Sequence, residues 1–155
     1  MQHVFDSPLG ALLITYDRES IQGLHFDRAA AESGGPSPVL DRCLEQLAEY
    51  FAGMRRDFDL PLAVRGTDFQ KTVWDALKTI AYGEVVSYGH IAAQIGKPKA
   101  PRAVGGANNK NPISIIVPCH RVVGAGGKMV GYGGGLWRKE WLLDHEKKHV
   151  FTIKY

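Results

Sequence analysis

The chain has 155 residues, 45% of them hydrophobic, and a formal net charge of +3, which fits one globular domain or two small ones packed together. No apolar run is long enough to span a bilayer and the N-terminus lacks the features of a signal peptide, so we expect a cytoplasmic protein without a membrane segment. Two cysteines, Cys43 and Cys119, do not make a disulfide framework, and no Cys/His cluster has zinc spacing. We therefore predict neither a metal nor a cofactor.

The charge is unevenly distributed along the chain. Residues 1–63 carry 5 Lys/Arg and 10 Asp/Glu, a net charge of −5, whereas residues 64–155 carry 14 and 6, a net charge of +8. A basic half of this kind suits a nucleic-acid-binding surface, although a solvated Lys-rich surface has the same composition. We place a domain boundary near residue 65, which gives an N-terminal domain over 1–65 and a C-terminal domain over 66–155.

The N-terminal half alternates in hydrophobicity in the manner of strands. Three strands are predicted near residues 3–5, 11–16 and 21–26, with a turn at 7–10, and together they make a small antiparallel meander. Residues 29–38 are rich in Ala, Gly, Ser and Pro and predict a loop. A helix follows over 39–53, with Cys43 on its apolar face as a core thiol. Residues 58–62 predict an edge strand.

The C-terminal half begins with a capping box, in which Thr67 is the N-cap and Gln70 lies three residues on. A second helix is predicted over 88–95 with Ser87 as its N-cap, and a third from 101 to about 109, so that the pair forms a helix-turn-helix. The third helix is built mostly of Ala and Gly, and Arg102 is its only long side chain. Such a helix fits a DNA minor groove with Arg102 entering the base stack, or packs closely on a strand with Arg102 as a surface cation.

The segment that follows contains the candidate nucleophile. Residues 113–117 are β-branched and predict a short buried strand, which Pro118 ends. Cys119 and His120 come next, where an imidazole can favour the reactive thiolate, although a lone cysteine is more often a small buried hydrophobe. Two glycine-rich stretches, 124–128 and 131–135, predict a mobile loop that admits a flat ring.

The chain closes with a helix and a short tail. The helix is predicted over residues 136–148, with Leu136, Trp141, Leu142 and His145 on its inner face. Glu146 lies on this helix and is expected to point toward His120. Residues 150–155 are β-prone.

Several motifs resemble one known family in both order and spacing. They are GEVVSY at 83–88, AVGGA at 103–107, NP at 111–112, VPCHRVV at 117–123, GY at 131–132 and KEWLLDHE at 139–146. By these motifs the chain resembles the O6-alkylguanine-DNA alkyltransferases, which take alkyl groups from guanine onto a cysteine. The resemblance implies an α+β protein with a ribonuclease H-like N-terminal sheet and helix, and a mainly helical, winged-helix-like C-terminal domain.

The resemblance also implies an activity. It is direct-reversal repair, in which the alkyl group of O6-alkylguanine, and of O4-alkylthymine, in duplex DNA passes irreversibly to Cys119 after the nucleotide flips out. Each molecule then reacts once. The partner is double-stranded DNA carrying the lesion; the protein is expected to act as a monomer, with cooperative binding along DNA left open.

Roles follow for residues that match the family's motifs. By the resemblance, Cys119 is expected to be the alkyl acceptor, His120 the base that acts through water, Glu146 the carboxylate that orients it, and Asn111 a support of the site. Tyr88 is expected to turn the 3′ phosphate and to donate a proton. The DNA-binding set is Arg102, Tyr88, Ala103, Gly106, Asn108 and Lys97, and the substrate pocket is formed by Val122, Met129, Tyr132, Gly133 and Gly134.

Two other functions compete with this one. A cysteine hydrolase would form an acyl-enzyme and turn over, and the glycine-rich loop would have to supply its oxyanion hole. A DNA-binding module with an incidental thiol would bind without any transfer. The three functions differ in stoichiometry. The hydrolase would turn over many times, the binding module would transfer nothing, and the alkyltransferase would react once.

Overall fold

A computed structural model describes residues 1–30 and 34–151 of the chain. Residues 152–155, most of the predicted β-prone tail, and residues 31–33 of the predicted loop lie outside this part; Val150 and Phe151 form a turn. The strands within the described residues are Gln2–Ser7 (β1), Gly10–Tyr16 (β2), Ile21–Phe26 (β3), Val86–Ser87 (β4) and Val122–Val123 (β5). The α-helices in the same part of the chain are Pro38–Phe51 (α1), Asp68–Leu77 (α2), Tyr88–Gln94 (α3), Pro101–Asn109 (α4) and Leu136–His149 (α5).

The N-terminal sheet is the predicted antiparallel meander, in the order β1-β2-β3. The β1–β2 turn closes at the pair Ser7 and Gly10, and Gly10 has φ +102°, a conformation that glycine adopts without strain. Helix α1 begins at Ser37, whose hydroxyl accepts from the Leu40 amide. Cys43 lies fully buried on its inner face, where burial raises the pKa of its thiol to about 12. This confirms that Cys43 is a core residue.

The predicted edge strand at 58–62 is wrong. Leu62 makes one isolated bridge, to Ile21, and no ladder forms. The reason lies in the side chain of Gln46 on α1, whose Oε1 accepts from the Asp59 amide at 2.9 Å and whose Nε2 donates to the Asp59 carbonyl at 3.1 Å. A helix side chain therefore satisfies backbone groups that a neighbouring strand would otherwise have paired.

The predicted helix-turn-helix is present. Thr67 and Gln70 form the full capping box of α2, and the Ser87 hydroxyl caps α3 by accepting from the His90 amide. Gly96, at φ +77°, makes the turn between α3 and α4. The Trp74 indole donates to the Ala107 carbonyl at 2.8 Å, which fixes α4 against α2.

The predicted strand at residues 113–117 is also wrong. The segment forms turns, Ile113 makes a single bridge to Leu24, and Ile115 has φ +71°. The Asn111 amide holds these turns, since its Oδ1 accepts from the Ile113 amide at 3.0 Å and its Nδ2 donates to the Val117 carbonyl at 2.7 Å. The run is apolar because it is buried between the two halves, and burial alone does not specify a strand.

Both halves share one hydrophobic core, which places α5 against the N-terminal sheet and helix. The two-residue strands β4 and β5 pair in parallel, so the entrance to α3 is tied to the segment directly after His120. The inner face predicted for α5 is partly wrong, because Leu136 is 45% exposed. Buried on that face are Arg138, Lys139, Leu142, His145 and Glu146. No helix among the described residues is long and apolar enough to cross a membrane.

Candidate functional site: a thiol at the wall of a cavity

Cys119 begins a short 3₁₀ turn, Cys119–Arg121, directly after Pro118. Its side chain is 5% exposed and lies at the wall of a cavity of about 310 Å³. Burial raises the pKa of the Cys119 thiol, while the Asn111 amide and the Lys139 ammonium act in the opposite direction. Burial thus opposes ionisation of the Cys119 thiol, and Asn111 and Lys139 favour it. In residues 1–30 and 34–151, no group of side chains suits a metal ion.

His120 is fully buried beside Cys119, and its Nε2 lies 2.6 Å from Glu146 Oε2. An ionised carboxylate only accepts hydrogen bonds, so Nε2 carries the hydrogen and Nδ1 of the neutral ring is an acceptor. Nδ1 is buried and has no hydrogen-bond partner among the described residues. Burial also lowers the pKa of His120, so the ring is neutral near pH 7 and can take up a proton. The predicted direction of Glu146 is confirmed.

Besides His120, Glu146 is held by donors from three parts of the chain. Arg121 binds it through Nε at 2.8 Å and Nη2 at 3.0 Å, the Tyr50 hydroxyl donates to Oε2 at 2.6 Å, and the Gly83 amide donates to Oε1 at 3.2 Å. Burial on its own would raise the pKa of Glu146, but His120 and the Arg121 guanidinium outweigh it and hold that pKa well below its usual range. The carboxylate is therefore ionised and fixed in orientation.

Tyr50 and Arg121 were not among the predicted site residues. Tyr50 lies on the apolar face of a helix, and that pattern gives no sign that its hydroxyl reaches α5. Arg121 lies inside the motif at 117–123, directly after His120. This position was the sign in the sequence that Arg121 belongs to the site. An arginine is normally expected at the surface, yet this one is 5% exposed.

Only some of the residues predicted to form the substrate pocket line the cavity at Cys119. Tyr132, Gly133 and Gly134 line it. Val122 does not line it, because it is fully buried and pairs with Val86; Met129 is half-buried in the loop and does not line it either. The wall also includes residues that sequence reasoning missed, namely His25, Phe26, Arg28, Asn109, Lys110 and Ser114.

Most of the predicted DNA-binding residues are exposed, on α4 or in the turn before it. Arg102, Ala103, Gly106 and Lys97 are exposed, whereas Asn108 is 2% exposed and its Nδ2 donates to the Cys119 carbonyl at 3.3 Å. The Asn108 side chain therefore supports the nucleophile's backbone and lines the cavity at Cys119, and its contact with DNA stays a prediction. Asn109 is the exposed residue at this end of the helix.

Of the two glycines of α4, Gly106 faces open space and Gly105 faces Tyr88. A Cβ built on Gly106 would meet nothing within 4 Å, and one on Gly105 would lie 3.7 Å from the Tyr88 ring. Close packing within the protein therefore does not explain Gly106. Both glycines line a second, wider cavity of about 850 Å³, together with Tyr88 and Arg102. The Tyr88 hydroxyl donates to the Val130 carbonyl at 3.3 Å.

Arg138 of α5 ties the N-terminal sheet to the glycine-rich loop. Its guanidinium binds both oxygens of Asp27 at 2.7 Å and donates to the carbonyls of Leu9 at 3.0 Å and Gly134 at 3.1 Å. It also lies over the Phe26 ring at 4.6 Å. The loop on one side of the cavity is thereby held in register with the end of β3 on the other.

Gly134 gives a test of the cavity's shape. A Cβ there would lie 2.7 Å from the Phe26 ring and 3.0 Å from the Tyr132 ring, so Gly134→Ala must displace one of the two walls. We expect this variant to bind a flat base in the cavity at least about tenfold more weakly, which corresponds to about 1.4 kcal/mol. Gly133→Ala is the matched control, because its Cβ would meet only the Asn109 carbonyl at 4.0 Å. Equal effects of the two changes on competitive base binding would contradict this account.

Sequence comparison places the chain near proteins of one family. The family described as 6-O-methylguanine DNA methyltransferase, ribonuclease-like domain, matches residues 1–64, and 6-O-methylguanine DNA methyltransferase, DNA binding domain, matches residues 68–148. A protein of Methanosarcina acetivorans named methylated-DNA–protein-cysteine methyltransferase is 49% identical over 92% of this chain and 96% of its own length. One of that name from Mycobacterium tuberculosis is 51% identical over 94% and 91%.

Solved structures agree with this. The crystal structure of Mycobacterium tuberculosis OGT in complex with DNA matches with a TM-score of 0.88 and 49% identity over 96% of this chain and 93% of that one. The O6-methylguanine-DNA methyltransferase of Pyrococcus kodakaraensis matches with a TM-score of 0.57 and 27% identity over 94% and 97%. The α+β fold is thus one that these proteins share.

Proposed function

We propose that this chain, which belongs to the 6-O-methylguanine DNA methyltransferase family, repairs DNA by moving the alkyl group of O6-alkylguanine onto Cys119. The observation that carries the proposal is the Cys119 thiol at the wall of a cavity of base size, next to a buried imidazole whose Nε2 is fixed by Glu146. Residues 66–155 bind DNA and accept the alkyl group. Residues 1–65 supply Tyr50 and one wall of the cavity.

The reaction is a direct displacement. His120 Nδ1 takes the thiol proton through a water molecule, and the positive charge that forms on the ring is stabilised by Glu146. The thiolate attacks the sp³ carbon, the S–C bond forms, and the C–O6 bond breaks. Guanine is a poor leaving group unless it is protonated, and the Tyr88 hydroxyl supplies that proton. The same displacement applies to O4-alkylthymine, whose alkyl group is also on an exocyclic oxygen.

The thioether that results is stable, so each molecule reacts once. The proposal treats the protein as a monomer, because one chain provides Cys119, His120 and Glu146. Stoichiometry tests the proposal: a fixed amount of protein is titrated with duplex containing O6-methylguanine, and the repaired lesions are counted at completion. One lesion per protein molecule is the expected result. Continued turnover would indicate a hydrolase-like enzyme, and binding without repair would indicate a lesion-binding module.

Arg102 gives a second test, because the target base must leave the duplex stack before it can reach Cys119. Arg102 is exposed on α4, at the wider cavity that also includes Tyr88 and Gly106. We propose that its side chain fills the space left by the flipped nucleotide. Arg102→Ala should then slow repair of duplex DNA by roughly tenfold or more, since extruding a base costs a few kcal/mol.

Single-stranded DNA is the control for this change. A lesion in a single strand is already unstacked, so Arg102→Ala should repair it at nearly the wild-type rate in the same single-turnover assay. Equal slowing on both substrates would assign Arg102 to general phosphate binding, and no slowing on duplex would remove it from the flipping step.

A further inference from the structure

Lys139 of α5 is a buried cation to which the proposed reaction gives no role. Its side chain is fully buried, and its Nζ donates to the carbonyls of Val130 at 2.7 Å and Gly131 at 3.3 Å. Over residues 1–30 and 34–151, no ion pair joins Lys139 to a carboxylate. A buried ammonium held by carbonyls alone is costly, so a neutral side chain such as Met would suit this position better for stability.

The negative charge that acts on the Lys139 ammonium is the one on an ionised Cys119. Burial lowers the pKa of Lys139 to about 8, and the charge on Cys119 acts against that lowering. The Lys139 charge in turn favours the ionised thiol and opposes protonation of His120. The groups that act on Cys119 by charge or hydrogen bond are Asn111, His120, Tyr88 of α3, Tyr132 of the loop and Lys139 of α5.

The same ammonium also organises the loop above the thiol. The Val130 carbonyl accepts from both Lys139 and the Tyr88 hydroxyl, so these two side chains meet at one atom of the glycine-rich loop. Gly131 follows with φ +52° and is exposed. Lys139 therefore links the loop that borders the cavity to the residue proposed to protonate the leaving base.

We propose that Lys139 is the counter-ion of the Cys119 thiolate, a positioning residue that acts through Cys119 and through the loop at Val130. The inference rests on the proposed function for the identity of the nucleophile. It explains why a lysine occupies a buried position without a carboxylate. The partner of Lys139 is the Cys119 thiolate, which forms only when the thiol ionises for attack. Alkylation of Cys119 removes this negative charge.

The experiment measures the reactivity of Cys119 with iodoacetamide against pH, and peptide mass analysis separates Cys119 from Cys43. Lys139→Gln keeps a donor for the loop carbonyls and loses the charge, whereas Lys139→Met loses both. Because a nearby cation favours the thiolate, both changes should move the midpoint of the reactivity profile to higher pH. The reaction at neutral pH should slow by about tenfold, the equivalent of one pKa unit. Lys147→Gln is the control, since Lys147 is an exposed cation on the same helix.

The two variants distinguish the effect of the Lys139 charge from the effect of its hydrogen bonds to the loop carbonyls. A shift in both Lys139 variants, with the control unchanged, supports the counter-ion. A shift in the Met variant alone would mean that the loop contact matters and the charge does not, which overturns the proposal, as would no shift in either. The assay needs no DNA. A failure of alkyl transfer from O6-methylguanine would therefore be recognised separately as a failure of the proposed function.

A second measurement uses the wild-type sequence and does not depend on a variant that folds. NMR of isotope-labelled lysine follows the titration of Lys139 before and after Cys119 is blocked with iodoacetamide. Since the thiolate raises the pKa of Lys139, blocking it should lower that pKa. An unchanged Lys139 titration would contradict the coupling.

Discussion

Replacing Cys119 by serine is expected to abolish alkyl transfer while leaving duplex binding intact. A serine hydroxyl ionises far less readily than a thiol, and in this buried position the pKa of the thiol itself is already raised by burial. The residues proposed to contact DNA lie on α3, on α4 and in the turn between them, and they are not altered by the change. Transfer from labelled duplex and binding by gel shift, measured on one preparation, test both statements.

Cys43→Ala provides the control for this experiment. Cys43 is fully buried on α1, and burial raises the pKa of its thiol to about 12, so it is not a nucleophile near neutral pH. This variant should transfer the alkyl group at the wild-type rate. Transfer retained in Cys119→Ser, or lost in Cys43→Ala, would remove Cys119 from the role of acceptor.

Replacing Arg121 by methionine is expected to lower the free energy of unfolding by about 3–5 kcal/mol, because removing one partner of a buried ion pair leaves the other charge uncompensated. Glu146 is fully buried and loses its two contacts with the guanidinium, at 2.8 and 3.0 Å. Thermal or urea unfolding at pH 7 measures the loss. The melting temperature should fall by roughly 2–4 °C for each kcal/mol.

The effect of Arg121→Met should depend on pH. The pKa of Glu146 in the folded protein is lowered by His120 and Arg121 in spite of burial, so the stability it contributes is present above the unfolded value of 4.5 and is lost as pH falls through the folded value. Without Arg121 the folded pKa of Glu146 rises, and the protein loses this contribution at a higher pH than wild type. As pH falls further, through the lower folded pKa of wild type, Glu146 becomes protonated in both proteins, and the difference between them should shrink.

The exposed pair Lys78 and Asp75 supplies the matched comparison. Its side chains are 45% and 76% exposed at a distance of 3.3 Å, so Lys78→Met should cost less than about 1 kcal/mol. If Arg121→Met is no more destabilising than Lys78→Met, the network around Glu146 does not stabilise the fold in the way described here.

Local signals predicted much of the fold. The alternation of β1 to β3, the capping box at Thr67, the N-cap at Ser87 and the small residues of α4 each have a short-range cause, and the structure confirms the elements they predict. The segment at 113–117 failed because its apolar composition reports burial, whereas its backbone conformation is set by the Asn111 amide. Periodicity contains no information about such a side-chain contact.

The site was only partly predictable for a related reason. Cys119, His120 and Glu146 follow from their motifs, but the groups that support them come from distant parts of the chain. Tyr50 lies 96 residues from Glu146, and Asp27 lies 111 residues from Arg138. On α5 the buried face includes charged residues whose partners exist only after folding, so a pattern of apolar residues placed Leu136 inside instead. The burial of Asn108 could not be predicted, because exposure on a short helix depends on what packs against it.

Intact-mass analysis after incubation with a duplex containing O6-methylguanine shows whether Cys119 accepts the methyl group. We expect a single mass gain equal to replacement of H by CH₃, saturating at one per molecule and mapping to Cys119 by peptide analysis. A protein that removes the lesion and keeps its original mass, or that gains the methyl group at another residue, would contradict this expectation.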